Sequence, residues 1–330
     1  MSTPSNDHAE QASWKVDEID VEATLTRPDG AGPFPAIMMV AGSGPTDRNW
    51  NSPLIPGTNG SAALLAQVLT DQGYITLRYD KRASGPHVRE NMPRMLGKIS
   101  MQSHREELAG GVHLLASRSD VDPRRLFALT SSEGCIHALN YQRQAKDFPF
   151  AGLILTGAPA RSIGEVARGQ IAAQLAAVPG GDAMLAAYDA AMADFAAERP
   201  VKIDESLPET LRMVIGAASA PHNLPFAREL WVTDPMQLAA SVTVPLLVII
   251  GKKDVQVDWQ VDGSRWEASA KERSNLTLVY PDDANHVLKH EPKPREQVTA
   301  ADIAGSYSAE GTVLDAQVVE TITAWLADFR

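Results

Sequence analysis

Ser132 is the residue whose surroundings most clearly predict chemistry. Residues 126–137, LFALTSSEGCIH, run from an apolar strand through a polar turn into a helix. A serine in a tight strand-to-helix turn, flanked by small residues two positions away, is typical of the nucleophile elbow G-x-S-x-G. Gly134 fits this pattern, and the helix start leaves the N–H of Glu133 free to bind an oxyanion. We therefore predict that Ser132 attacks a carbonyl carbon.

Two alternatives to this interpretation exist. Ser131 could be the nucleophile, but Glu133 would then occupy the position that needs a small residue. The turn could also be a serine-rich loop that only caps a helix. The first alternative is disfavoured by the spacing, and the second depends on whether partners for Ser132 exist elsewhere in the chain.

A nucleophilic serine needs a base that takes its proton and an acid that orients the base. In the arrangement that accompanies this elbow, the acid and then the histidine follow the serine. Asp254 comes shortly after the apolar run 246–250, and His286 shortly after the run 276–280. Because ligands gather at the carboxyl ends of parallel strands, we predict Asp254 as the orienting acid and His286 as the base.

Other acids and histidines compete for these roles. Asp258 and Asp283 are alternatives to Asp254, and His222 lies in a helical region. His290 follows His286 by four residues, which could indicate a metal pair, but no third ligand is evident. The sequence therefore predicts no metal site and no cofactor.

A second donor to the oxyanion is expected from the loop that follows the strand 36–41. This loop reads Gly42-Ser43-Gly44-Pro45, and its glycines let the backbone approach a ligand closely. We predict the N–H of Ser43 as the donor. The alternatives are a plain Gly-Pro turn and a phosphate-binding loop, and the absence of G-x-x-x-x-G-K-[ST] disfavours the latter.

Short apolar runs and amphipathic segments alternate along the chain. The runs are nearly continuous, which is typical of strands buried on both faces of a parallel sheet. We predict parallel strands at 36–41, 75–79, 126–130, 153–156, 246–250 and 276–280, an antiparallel edge strand at 19–25, and helices at 61–72, 103–117, 134–144 and 314–329. The predicted fold class is α/β, with a mostly parallel central sheet flanked by helices.

Residues 158–243 contain no strand candidate and interrupt this alternation. Their alanine-rich part, 167–197, is broken at 179–181, and Asp182 is predicted to cap a second helix. We predict a disordered tail over 1–13, a catalytic domain over 14–157 and 244–330, and a helical cap over 158–243. The alternative for 158–243, a low-complexity linker, is disfavoured by its regular apolar spacing.

Composition limits the class of partner. The 330 residues include 41 acidic and 30 basic side chains, a balance that argues against nucleic acid or an anionic membrane as the main partner. The single cysteine, Cys135, excludes an intramolecular disulfide, and its position favours packing over reactivity. The first residues have no apolar segment typical of a signal peptide, so a cytoplasmic protein is expected.

Five segments together resemble the α/β-hydrolase superfamily, most closely its bacterial esterase, serine-aminopeptidase-like and acyl-thioester-hydrolase-like branch. They are AGSGPTDRN at 41–49, RYDKRASG at 78–85, SSEG at 131–134, PLLVIIGKKDVQV at 245–257, and ANHVLK at 284–289. The resemblance covers about 19–329 and is weakest in the helical insertion. Thr130 and Ala83 depart from the pattern, because the family usually has glycine at both positions.

The resemblance implies a triad of Ser132, Asp254 and His286, with main-chain oxyanion donors at Ser43 and Glu133. It also implies that the helical insertion covers the site, between the sixth and seventh strands of the sheet. Substrate-binding candidates are Gly42, Trp50, Tyr188 and Trp231. Asp80 and Arg82 are expected to connect loops rather than contact substrate.

The predicted function is a serine hydrolase that cleaves carboxylic esters, with lactones and thioesters within the same chemistry. The partner is then a small ester-type molecule, and a homodimer is left open. One alternative is an aminopeptidase-like serine peptidase, for which Glu133, Asp47 or carboxylates of the cap could bind the substrate amine. The other is a non-catalytic member of the fold that only binds a ligand.

Overall fold

Residues 9–329 are described by a computed structural model, and within them eight strands form one sheet in the order β1-β2-β4-β3-β5-β6-β7-β8. The strands are β1 (Ala9–Val16), β2 (Ile19–Thr26), β3 (Phe34–Val40), β4 (Ile75–Tyr79), β5 (Val121–Ser131), β6 (Gly152–Thr156), β7 (Leu246–Ile249) and β8 (Leu276–Val279). β3 to β8 pair in parallel, while β1 and β2 add antiparallel strands at one edge. The prediction of a mostly parallel α/β sheet is confirmed.

Helices cover both faces of this sheet. They are α1 (Ser61–Asp71), α2 (Val88–Met95), α3 (Met101–Ala116), α4 (Gly134–Gln144), α5 (Ile163–Leu175), α6 (Gly181–Ala196), α7 (Glu209–Ala218), α8 (Phe226–Val232), α9 (Pro235–Ala240), α10 (Val261–Ala270), α11 (Ile303–Ser308) and α12 (Ala316–Ala327). None of the helices in the described part of the chain has the length and apolarity needed to span a membrane.

Alternating residues of one strand pack into different layers of the core. Met38 of β3 packs with α3 and α4 residues on one face, whereas Ile37 and Met39 pack with α1 and α12 residues on the other. Strands covered on both faces need apolar side chains at successive positions. This is why the parallel strands are continuous apolar runs in the sequence.

The prediction of a disordered tail over residues 1–13 is wrong for residues 9–13. These residues belong to β1, whose partners in β2 run from Thr26 opposite Ala9 to Ile19 opposite Val16. The segment is polar because β1 is an edge strand and exposes much of its surface. Backbone pairing with β2, which a polar sequence does not reveal, orders it. Residues 1–8 lie outside the described residues.

Residues 163–240 form five α-helices, α5 to α9, between β6 and β7. α5, α6 and α7 share a separate apolar cluster, which includes Ile171, Phe195 and Ile215. Phe226 of α8 instead packs into the main core. The prediction that Asp182 caps α6 is wrong, because Gly180 is the N-cap residue, with a left-handed backbone (φ 76°) that its lack of a side chain permits.

Candidate active site

Ser132 lies at the turn between β5 and α4 with a left-handed backbone, at φ 52°. Its N–H donates to the Thr156 carbonyl of β6 at 2.8 Å. Such a conformation is unfavourable for a residue with a side chain and is held by its surroundings. Gly134 is tightly confined, since a Cβ there would lie 2.5 Å from the Val40 carbonyl oxygen. The turn therefore has the close packing against β3 that a nucleophile elbow requires.

Thr130 occupies the position where glycine is usual, and the structure accommodates it. Its hydroxyl donates to the Ile154 carbonyl at 3.1 Å and lies 3.2 Å from the sulfur of Cys135. The Thr130 hydroxyl is thus hydrogen-bonded to β6, and the turn at Ser132 is kept. Burial raises the pKa of the Cys135 thiol to about 12, which agrees with a packing role for this cysteine.

His286 and Asp254 form a buried hydrogen-bonded pair, with Nδ1 of the imidazole 2.7 Å from Oδ2 of the carboxylate. Oδ1 of Asp254 accepts from the N–H groups of Gln256 and Val257, at 2.7 and 2.9 Å. The carboxylate is 0% exposed and is oriented by these main-chain donors. It can therefore keep a proton on Nδ1 of His286 and leave Nε2 free to accept one.

Sheet order explains how these residues meet. The chain leaves β3 for β4 on one side and returns to β5 on the other, so the loops after β3 and β5 border a topological switch point. β7 and β8 are neighbours, which brings the Asp254 and His286 loops together. β6 lies between β5 and β7, so its carboxyl end is next to both the elbow strand and the strand that precedes Asp254.

Gly157, the residue after β6, leaves room for the histidine ring at this point. A Cβ on Gly157 would lie 3.0 Å from Cε1 and 3.1 Å from Nδ1 of His286, and its φ is 52°. This glycine was not predicted from the sequence. The signal available was a glycine directly after a buried strand, which alone does not specify what approaches it.

We predict that Gly157→Ala lowers kcat by about tenfold, because the close contact would displace the His286 ring by less than the roughly 1 Å that can cost about 100-fold at a catalytic group. The added methyl group would push the His286 ring away from its present position. Steady-state hydrolysis of a p-nitrophenyl ester measures the effect. Gly180→Ala is the matched control, because Gly180 also has a positive φ but has no atom within 4 Å of the added Cβ. Equal activity in the two variants would contradict this role for Gly157.

The loop after β3 is anchored away from the site. The carboxylate of Asp80 accepts from the backbone N–H of Arg48 at 2.6 Å and from its guanidinium at 2.8 Å. Arg82 donates instead to buried Glu107 at 2.8 Å. The prediction that Asp80 and Arg82 connect loops is confirmed. Gly42 in this loop lies against the elbow, since a Cβ added to Gly42 would lie 3.3 Å from Cβ of Ser132.

The competing acids and histidines have other partners. Asp258 accepts from the N–H groups of Gln260 and Val261 at the start of α10. Asp283 forms an ion pair with Lys253 at 2.7 Å. His290 lies 3.6 Å from Asp315, and His222 lies in the helical insertion. In residues 9–329 no group of three potential ligands could hold a metal ion.

Two cavities border the loop at Ser43 and Gly44. The first, of about 390 Å³, is lined by Ser132 and His286 together with apolar residues that include Trp50 and Tyr307. The second, of about 470 Å³, lies towards the helical insertion and is lined by Glu133, Phe226 and Leu230 among others. Ser43 lines both cavities, whereas Glu133, which carries the other proposed oxyanion donor, lines only the second.

The four substrate-binding candidates are distributed unequally. Gly42 and Trp50 line the first cavity, and Trp231 lines the second. Tyr188 lines neither, but it is a buried member of the apolar cluster of the helical insertion and lines another cavity there with Trp231, so its role as a substrate contact stays a prediction. Its spacing on an alanine-rich helix is equally typical of packing inside that insertion. Tyr307, which was not predicted from the sequence, lines the first cavity, and its hydroxyl accepts from the side-chain amide of Gln256 at 2.8 Å.

A buried polar cluster lies beneath the second cavity. The Lys81 ammonium donates to the Gly42 carbonyl at 2.7 Å and lies 3.7 Å from the Glu133 carboxylate. His137 Nε2 is 3.0 Å from the same carboxylate. Burial alone would raise the pKa of Glu133, but Lys81 and the His137 hydrogen bond hold it well below its usual range. Burial lowers the pKa of His137, so this imidazole is neutral and Glu133 is ionised at neutral pH.

The chain is similar to a known esterase and to several solved hydrolases. It is 26% identical over 325 residues to esterase EstD of Thermotoga maritima, covering 97% of this chain and 69% of that protein. The Pyrococcus furiosus esterase Pf2001 matches with a TM-score of 0.55 and 15% identity, over 99% of this chain and 96% of its own.

Proline iminopeptidase of Mycobacterium smegmatis also matches, with a TM-score of 0.55 and 14% identity, over 97% of this chain and 98% of its own. No protein-family profile matches the sequence. At these low identities, the similarity to the solved structures shows the fold alone and does not identify a substrate. The chain therefore has the α/β-hydrolase fold.

Proposed function

We propose that this chain is a serine hydrolase that cleaves carboxylic esters through an acyl-enzyme on Ser132. One observation carries the proposal: His286, hydrogen-bonded to buried Asp254 at 2.7 Å, shares a cavity with a serine in a left-handed strand-to-helix turn. The similarity to esterase EstD supports hydrolase activity. Thioesters and lactones fall within the same chemistry.

In the proposed reaction, Nε2 of His286 takes the hydroxyl proton as Oγ of Ser132 bonds to the ester carbonyl carbon. The carbonyl oxygen becomes an oxyanion that accepts from the N–H groups of Ser43 and Glu133. The C–O bond then breaks, and the imidazolium gives its proton to the departing alkoxide. A water molecule, deprotonated by His286, attacks the acyl-enzyme in the same way and releases the carboxylic acid and Ser132.

Two of the acidic side chains that could bind a substrate amine already have partners within the protein, which favours esters over substrates with a free amine. An aminopeptidase needs an acidic group that can bind the substrate ammonium, and Glu133 and Asp47 were the candidates. Glu133 already interacts with Lys81 and His137. Asp47 accepts from the N–H groups of Asn49 and Asn51 at 2.8 and 2.9 Å. Both carboxylates are thus already bonded within the protein, Asp47 lines neither cavity, and the remaining lining of both cavities is largely apolar.

A substrate panel tests the proposal. We expect p-nitrophenyl acetate, butyrate and octanoate to be hydrolysed, with kcat/KM at least about tenfold above that for alanine or proline p-nitroanilide, because apolar cavities favour uncharged apolar groups. Hydrolysis rates of the corresponding thioesters show whether the enzyme also cleaves thioesters. A fluorophosphonate probe followed by peptide mapping is expected to label Ser132. Faster cleavage of the anilides than of every ester would contradict the proposal, as would labelling of another residue.

A further inference from the structure

Lys81 is a buried cation that the proposed reaction does not yet use. It follows β4 between Asp80 and Arg82 and is only 5% exposed. A buried ammonium is costly unless its partners compensate for lost hydration. Its two neighbours in sequence pair with Arg48 and Glu107, away from the site. Lys81 instead extends to the carbonyl of Gly42 and the carboxylate of Glu133.

The first of these contacts orients one proposed oxyanion donor. The carbonyl of Gly42 and the N–H of Ser43 belong to the same trans peptide plane, so they point in opposite directions. A lysine that holds the carbonyl oxygen at 2.7 Å therefore fixes the direction of the Ser43 N–H. A charged donor on the carbonyl also polarises the peptide, which makes its N–H a stronger donor.

The second contact anchors the residue that supplies the other donor. Glu133 begins α4, and its carboxylate is held between Lys81 Nζ at 3.7 Å and His137 Nε2 at 3.0 Å. A carboxylate with two partners restricts the backbone that carries it. One ammonium therefore connects the two chain segments whose N–H groups must converge on the same oxygen atom.

We propose that Lys81 is a positioning residue of the oxyanion hole. It holds the N–H groups of Ser43 and Glu133 in the positions from which both reach the oxyanion, and it does not contact the reacting atoms. This inference rests on the proposed function. Its consequence is selective: Lys81 contributes to stabilising the transition state, in which the oxyanion exists, more than to binding the ester. Loss of Lys81 should then lower kcat while KM changes little.

Lys81→Met, Lys81→Gln and Lys81→Arg test this inference. Removing one direct oxyanion donor costs about 100- to 1,000-fold in kcat, so losing a residue that positions the donors should cost about 10- to 100-fold. For Lys81→Met we expect this loss with KM within about threefold of wild type. The inhibition constant of a trifluoromethyl ketone, whose hemiketal carries an oxyanion, should weaken by the same factor. Lys81→Arg keeps the charge and should recover part of the loss.

Arg82→Met is the matched control, because it removes an adjacent buried cation that pairs with Glu107 instead. It should lower the melting temperature but leave kcat per active site, counted with the fluorophosphonate probe, close to wild type. If Lys81→Met folds poorly, Lys81→Gln, which retains a donor, supplies the same comparison.

Two outcomes would overturn the inference. One is a kcat of Lys81→Met and Lys81→Gln within about twofold of wild type, which would make the ammonium a structural ion pair only. The other is a raised KM with unchanged kcat, which would make Lys81 a substrate-binding residue of the second cavity. Both presuppose that Ser132→Ala is inactive in the same assay. An active Ser132→Ala enzyme would instead refute the proposed function itself.

Discussion

Replacing Ser132 with alanine is expected to lower kcat for ester hydrolysis by about a million-fold, the scale seen when a triad nucleophile is removed. The turn holds Ser132 at φ 52° in the cavity it shares with His286. Without its hydroxyl no acyl-enzyme can form, and only direct attack by water remains, assisted by the oxyanion donors and by substrate binding. Hydrolysis of p-nitrophenyl butyrate, followed at high enzyme concentration, measures the residual rate.

Ser131→Ala is the control for this prediction. Ser131 is the last residue of β5 and pairs with Thr156 of β6, and its side chain is 8% exposed. Its position within the strand gives it no left-handed turn and no helix-start donor beside it. We expect only a mild change in activity. Full activity of Ser132→Ala combined with loss in Ser131→Ala would reverse the assignment of the nucleophile.

Asp254→Asn is expected to lower kcat by about 10,000-fold with little change in shape, as in other enzymes with a Ser-His-Asp arrangement. The asparagine would still occupy the buried site that the Gln256 and Val257 N–H groups surround. Its amide can donate to Nδ1 of His286, which places the ring proton on Nε2. The imidazole would then have no lone pair for the Ser132 proton. Steady-state kinetics and a melting curve separate this effect from unfolding.

Asp283→Asn is the matched control, because this competing carboxylate pairs with Lys253 and its side chain is 47% exposed. An exposed ion pair contributes little to stability, at most about 1 kcal/mol. Activity close to wild type is expected. A larger loss in Asp283→Asn than in Asp254→Asn would indicate that the wrong acid has been chosen.

Local sequence was sufficient for most strands and for the helices that follow a clear pattern. The parallel strands are continuous apolar runs because both of their faces are covered, and the elbow motif is contained in a few consecutive residues. β1, α2, α8, α10 and α11 were not predicted. β1 is polar and depends on pairing with β2. α2 contains Pro93, and α10 has few apolar positions, so neither shows a strong helical pattern.

The sequence by itself determined the residue types of the candidate site and their places at the ends of strands, since the elbow motif and the strand pattern are local properties. Only the tertiary structure decided that Asp254, and not Asp258 or Asp283, is the partner of His286. It also revealed that Gly157 makes room for the imidazole and that Lys81 connects two loops. These relations depend on which strands are neighbours in the sheet. Neighbouring strands here come from distant parts of the chain, so the packing of the whole domain is needed to specify them.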